Sequence, residues 1–221
     1  MAIKMVLFDM DGTIVQYKGS PFGSTWDAIG VLCGKKEEWY ALRDHYLSKS
    51  LEQKTYAEWI GKQYAILQGI PVAPIMDKIF PPPYTPGFPG SCSYLKEADV
   101  KIGIVSSGVG FVAEHIQRDV GLDFYVANDL HIKDGCFAGT GTIHVDLHDK
   151  AQIIQRISEE QGISREQVAY VGDHTNDIPA WKVVGLPLGM NLKDDSCHAA
   201  VDAHFGNFHQ ALQYFAKHRI V

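Results

Sequence analysis

The hydrophobic pattern of this 221-residue chain changes period twice. Ile3 to Phe8 is an apolar run broken only by Lys4 and stopped at Asp9, as expected of a parallel strand buried on both faces. From Ser24 to about Ile79 the apolar residues fall at helical spacing. They are Trp26, Ile29 and Leu32; Trp39, Leu42, Tyr46 and Leu47; then Tyr56, Trp59, Ile60, Tyr64 and Leu67, with Thr55 as the expected N-cap of that last stretch. Pro81 to Gly87, with four prolines in seven residues, excludes helix interior and central strand. Strands and helices then alternate: strand Val100–Val105, helix Gly110–Arg118, strand Phe124–Ala127, helix Asp149–Glu160, strand Val168–Val171 and helix Asn176–Val183. Such alternation predicts a mainly parallel sheet with crossover helices. The Asp134-Gly135 turn between short apolar arms, Leu130 to Phe137, predicts a β-hairpin beside that sheet. The expected organisation is an α/β core of residues 1–15 and 86–221, interrupted by a helical cap over 16–85.

Composition narrows the function classes. The chain carries 20 Lys and Arg against 26 Asp and Glu, a formal charge of −6. That balance offers no basic face to a phosphate backbone, so nucleic acid is not an expected partner. The first apolar run is too short for a signal segment or a membrane span, which makes a cytoplasmic, unanchored protein the expectation. Cys33, Cys92, Cys136 and Cys197 form no CxxC pair and are expected to be reduced thiols. His144, Asp146 and His148, and the group Cys197, His198, His204 and His209, lack a recognised zinc spacing.

The candidate chemistry sits at predicted strand ends. Asp9 and Asp11, at i and i+2 before Gly12-Thr13, could share the carboxyl edge of the sheet, where ligands bind in open α/β folds. One carboxylate could attack while the other handles protons. Ser106 follows Ile102-Gly103-Ile104-Val105, Lys150 opens a predicted helix, and Gly172-Asp173-His174-Thr175-Asn176-Asp177 ends the strand at Val171.

In this order the residues resemble the haloacid-dehalogenase (HAD) superfamily of aspartate-nucleophile phosphohydrolases. The four motifs are Asp9-x-Asp11-Gly12-Thr13, Ser106, Lys150 and Gly172-Asp173-x-x-Asn176-Asp177. Ser106-Ser107-Gly108, Ala127-Asn128-Asp129-Leu130 and Lys133-Asp134-Gly135 look most like the phosphoserine phosphatase-like members. The resemblance implies a Rossmann-like core with helices on both faces and a helical cap that closes over the site. It also implies a phosphatase acting on a small phosphate monoester.

The implied roles suit phosphoryl transfer, which needs an in-line oxygen nucleophile and neutralisation of phosphoryl charge. Asp9 would form an aspartyl-phosphate and Asp11 would serve as general acid and base. Mg²⁺, a hard cation, would be held by Asp9, the backbone carbonyl of Asp11 and Asp173, with Asp177 on or just behind it. Ser106, Ser107, Gly12, Thr13 and Asn176 would contact the substrate, and Lys150 would offset the crowded negative charge.

Phosphoserine phosphatases usually place a Glu five residues after the motif's Thr. Here that position is Lys18, which would welcome a carboxylate, a second phosphate or a hydroxyl-rich group. Tyr64 falls where an ungapped match expects a carboxylate-binding Arg. A sugar or methionine-salvage phosphate is therefore an alternative substrate. A dehalogenase is disfavoured, since a departing halide needs no acid such as Asp11. The aromatic stripes of the cap are expected first as packing, with one or two rings facing the cleft. From another reaction class, Gly108-Val109-Gly110-Phe111-Val112-Ala113 with Asp129 downstream approaches a dinucleotide-binding fingerprint and would fit an NAD-dependent oxidoreductase.

Overall fold

The computed structural model describes residues 2–20, 22–47 and 53–218. The chain runs β1 (Met5–Phe8), α1 (Thr25–Leu32), α2 (Lys36–Leu47), α3 (Gln53–Ile66), α4 (Ala73–Ile79), α5 (Phe88–Glu97), β2 (Lys101–Val109) and α6 (Gly110–Val120). It continues through β3 (Phe124–Lys133), β4 (Cys136–Thr142), α7 (Lys150–Gln161), β5 (Val168–Gly172), α8 (Ile178–Trp181), β6 (Leu186–Met190), α9 (Asp195–His198), β7 (Ala203–Phe205) and α10 (Phe208–His218). Seven strands form one sheet in the order β4-β3-β2-β1-β5-β6-β7. Every pair is parallel except β3 with β4, whose ladder closes at Lys133 and Cys136 around the Asp134-Gly135 turn.

β1 is central, and all four of its side chains are buried. Alternation along a strand sends successive side chains to opposite faces. Met5 and Leu7 join Ile153, Ile154 and Ile157 of α7 and Trp181 of α8. Val6 and Phe8 join a second cluster with Phe88 of α5, Ile116 of α6, and Phe208 and Phe215 of α10. Helices thus cover both faces, as parallel sheets require.

Four helices, α1 to α4, lie between β1 and the return of the chain at α5. The hairpin braces this insert. The amide of Gly69 donates to the carbonyl of Phe137 (2.9 Å), that of Phe137 to Ile70 (3.0 Å) and that of Val72 to Gly135 (3.0 Å).

Several boundaries differ from those read off the sequence. Thr55 does not cap α3, because it is already the third helical residue; 48–52, and the side chain of Leu47, lie outside the described residues. β2 extends to Val109, which puts Ser106 and Ser107 inside the strand. The last predicted helix splits into a 3₁₀ turn at Thr175–Asp177 and α8, where Pro179 sits in the first turn and needs no backbone donor. Among the described residues, no helix is long and apolar enough to cross a membrane, and all four cysteines are free.

Candidate active site

Three adjacent strands, β2, β1 and β5, deliver the candidate residues to one edge. Asp9 follows β1 directly, and its amide donates to Val171 of β5 (2.9 Å). The chain then folds back tightly, with the amides of Ile14 and Val15 donating to Met10 and that of Gly12 to Val15. Gly12 has φ +88°, and a Cβ there would stand 2.1 Å from Oδ2 of Asp173. Both the left-handed backbone and the close approach demand glycine. Gly108 answers a second crowding, since its Cβ would meet the Met10 side chain at 2.4 Å and Oδ2 of Asp11 at 3.0 Å.

Lys150, fully buried at the start of α7, places Nζ 3.0 Å from Oδ1 of Asp9 and 2.6 Å from Oδ1 of Asp177. Burial works against its charge, but the two carboxylates outweigh that cost and raise its pKa. Lys193, beyond β6, places Nζ 2.6 Å from Oδ2 of Asp173. The Asp9 and Asp173 oxygens face these ammonium groups without an aligned hydrogen-bond donor, although both are buried. Asp177 is fully engaged by comparison. Its Oδ1 accepts from Lys150 (2.6 Å) and Tyr170 (2.7 Å), and its Oδ2 accepts from the amides of Asp173 (2.9 Å) and His174 (3.1 Å).

Burial raises the pKa of Asp9, against the pull of Lys150. Asp173 is pushed up to about 7 by burial and by the charges of Asp9 and Asp177. Asp11 is pushed up to about 6, chiefly by burial, even though Thr25 opposes the rise. Thr25, the first residue of α1, gives Oδ1 of Asp11 two hydrogen bonds, from its amide and its hydroxyl, each 2.7 Å. Asp11 is therefore held by the insert rather than by the sheet.

Asp9, Asp173 and Asp177 can bring one oxygen each within 4.8 Å of the others. Among the described residues this is the one such metal-ligand group, so neither histidine-rich segment assembles one. Four carboxyl groups, including Asp11, face two ammonium groups here. An excess of negative charge with two buried, undirected oxygens fits a hard divalent cation.

A cavity of about 530 Å³ opens over this edge, lined by Asp9, Asp11, Ser106, Ser107, Asp173 and Asn176 at its floor. Thr13 lies beneath, donating to Oδ1 of Asp173 at 3.4 Å. Lys18 is not brought into this constellation: it is exposed in the turn after Tyr17 and outside the cavity lining. Ser24 lines the cavity in its stead and caps α1 by accepting from the amide of Asp27 (3.2 Å). Tyr64 is buried against Trp26, with ring centroids 5.7 Å apart, and does not line the cavity. Sequence reasoning missed Thr25, Arg43, Tyr170 and Lys193. Lys193 carried one usable signal, its position just past a strand that neighbours β5. The cavity's Gly108 is filled against Met10 and Asp11, and Gly110 opens α6 directly from β2, which leaves no glycine loop free to cradle a dinucleotide.

Known proteins with this arrangement agree. The chain is 29% identical over 194 residues to "Phosphoserine phosphatase" of Archaeoglobus fulgidus, covering 86% of this chain and 53% of that one, so it spans about half the length of that relative. It is 28% identical over 193 residues to the "Phosphoserine phosphatase" of Methanocaldococcus jannaschii, covering 86% of each. A solved structure described as "Phospho-Aspartyl Intermediate Analogue of Phosphoserine phosphatase" superposes with a TM-score of 0.79 at 25% identity, over 97% of this chain and 99% of that one. The sheet order, the acidic edge and a match of residues 6–182 to the family model together place this chain in the haloacid dehalogenase-like hydrolase family.

Proposed function

We propose that this chain hydrolyses a small phosphate monoester through an aspartyl-phosphate on Asp9, within a sheet core of 1–15 and 86–221 capped by 16–85. The carrying observation is the pairing of two carboxyl groups with different environments at the end of β1. Burial raises the pKa of both, but Asp9 has the ammonium of Lys150 3.0 Å away to favour its charged form, whereas Asp11, bonded by the neutral Thr25, is pushed up to about 6 and can carry a proton for transfer. A carboxylate oxygen of Asp9 attacks phosphorus and the bond to the ester oxygen breaks, its electron pair leaving on the alkoxide. Asp11 gives that alkoxide its proton. Water then attacks the phosphorus of the acyl phosphate, Asp11 takes a proton from it, and the Asp9 carboxylate is regenerated as inorganic phosphate leaves.

The Ser106 hydroxyl and the Ser107 amide serve the phosphoryl oxygens, with Asn176 at the cavity floor. Lys150 keeps Asp9 oriented. Asp9 and Asp173, with the carbonyl of Asp11, would hold Mg²⁺, which supplies neutralisation of phosphoryl charge when bound. Asp177, whose four oxygen contacts are already taken, supports this set by fixing Lys150 and the backbone at Asp173. The likeness to phosphoserine phosphatases supports the reaction class and a small diffusible substrate. The absence of a long apolar helix among the described residues and the acidic charge suit a cytoplasmic enzyme.

The test is phosphate release from a broad monoester panel with and without Mg²⁺, together with intact-protein mass after rapid acid quenching. Mg²⁺-dependent release and an Asp9-borne phosphoryl adduct are expected. No release from any monoester would overturn the reading.

A further inference from the structure

The half of the cavity built by the insert is aromatic: Trp26 and Trp59, both half-buried, line it, backed by the buried Trp39, Tyr56 and Ile60, so that three of the chain's four tryptophans gather on this side. What these rings leave for a ligand is set by what they have already bonded. The indole N–H of Trp26 donates to the carbonyl of Ser107 at 3.0 Å. With the Gln63 amide oriented to satisfy both neighbours, its oxygen accepts from the indoles of Trp59 (3.2 Å) and Trp39 (3.3 Å). The Tyr56 hydroxyl accepts from Nδ2 of Asn128 at 3.2 Å. The indole donors of all three tryptophans are thus taken within the protein, and what the half-buried Trp26 and Trp59 offer a ligand is carbon surface.

The charged groups of this half are paired with each other. Arg43 stands 3.7 Å from Oδ2 of Asp27 and 3.1 Å from Oδ1 of Asp44, and its guanidinium lies 4.4 Å from the centroid of Tyr40. A zwitterionic amino acid would have to part the Arg43–Asp27 pair to be recognised, whereas an uncharged ring would not. The volume, about 530 Å³, falls within the range of sites that enclose ligands well above the size of serine. Because Trp26 is bonded to Ser107, the aromatic wall begins beside the residues that would hold the phosphoryl group, so a short linker suffices between ring and phosphate.

Resting on the phosphatase reading above, we infer that the organic part of the substrate is an uncharged group with a flat ring, attached through a short aliphatic alcohol, rather than an amino acid. Selection by carbon surface favours such a ring over serine, and Trp59, half-buried on α3, supplies one face of the site.

The test compares 2-phenylethyl phosphate with phosphoserine, both esters of aliphatic alcohols, so that leaving-group reactivity does not decide the result. Binding to Asp9→Asn protein is measured by calorimetry with Mg²⁺ present, and kcat/KM is measured on the unaltered protein. The ring-bearing ester is expected to bind at least tenfold tighter and to have at least a tenfold higher kcat/KM. Trp59→Ala should erase most of that preference and Trp59→Phe should restore it; if the alanine variant does not fold, Trp59→Leu reads the same loss of a flat face. Equal or tighter binding of phosphoserine, or a preference that survives loss of Trp59, overturns the inference. If the ring preference in binding holds while neither ester is hydrolysed, the phosphatase reading fails and the ring-selective site stands. If phosphoserine is the better hydrolysed of the two, the reverse is true.

Discussion

The two walls of the cavity are built on opposite principles. At the carboxyl edge of β2, β1 and β5, four carboxyl groups and two lysines crowd together, and the buried polar atoms are tied to backbone amides, hydroxyls or opposite charge. Across from it, the insert presents indole rings whose polar atoms have been turned to internal partners. Charge arranged around a reacting centre acts on the phosphoryl group, which all monoesters share. Carbon surface acts on the alcohol, where they differ. On the proposed function, this contrast assigns turnover and choice of substrate to separate stretches of chain, and each variant below asks whether that separation holds.

The largest effect is expected from Asp9→Asn, which should lower kcat by about a thousandfold or more for every ester alike and abolish the phosphoryl adduct by mass spectrometry. A loss confined to some esters would break the separation. Lys150→Met comes next. It leaves Asp9 and Asp177 buried and without their cation, so chemical denaturation should show a loss of about 3–5 kcal/mol. Shortfall there would mean that the edge tolerates unpaired charge.

The third concerns pH. Asp11 has a folded pKa of about 6, above the ordinary carboxyl range. In such a case the unfolded chain gives up its proton first as pH rises, so the folded state loses stability between about pH 4 and pH 6 and the loss persists above it. For Asp11 the difference is on the order of 3 kcal/mol. Thermal melts of the metal-free protein should fall over this window relative to Asp11→Asn, which lacks the titration, and added Mg²⁺ should recover part of the loss. A flat difference between the two proteins would show that burial does not govern this carboxyl. The smallest effect belongs to Trp26→Phe. It removes one hydrogen bond, but the Ser107 carbonyl keeps Nδ2 of Asn128 at 3.0 Å, so stability should change by only about 1 kcal/mol.

The same contrast explains what could be read from the residues in line. β1 was legible because a strand buried on both faces must be apolar throughout, and Asp9, Asp11, Asp173 and Asp177 were legible because each abuts such a strand or its turn. α5 was not, since it begins Phe88-Pro89-Gly90, and only the tolerance of a first helical turn for proline reconciles that start with a helix. β6 reads Leu-Pro-Leu-Gly-Met, an unpromising strand that gains its place by pairing with β5. Lys193 lies a strand away from Asp173 in sequence and has no motif spacing. Only the neighbouring of β5 and β6 reveals it. Lys18 shows the opposite error: counting from Thr13 without a gap overlooks the loop that brings Ser24 to the cavity. The tryptophans were visible as helical stripes, but periodicity cannot say which rings meet a core and which meet a ligand.

The two hydrogen bonds from Thr25 to Asp11 carry one more consequence. They favour the ionised carboxylate, so they lower a pKa that burial raises. Losing these two bonds while burial is kept would strengthen the hold of Asp11 on its proton, and by reciprocity protonating Asp11 weakens its grip on α1. The position of the insert and the acidity of the group beneath it are then two readings of a single equilibrium.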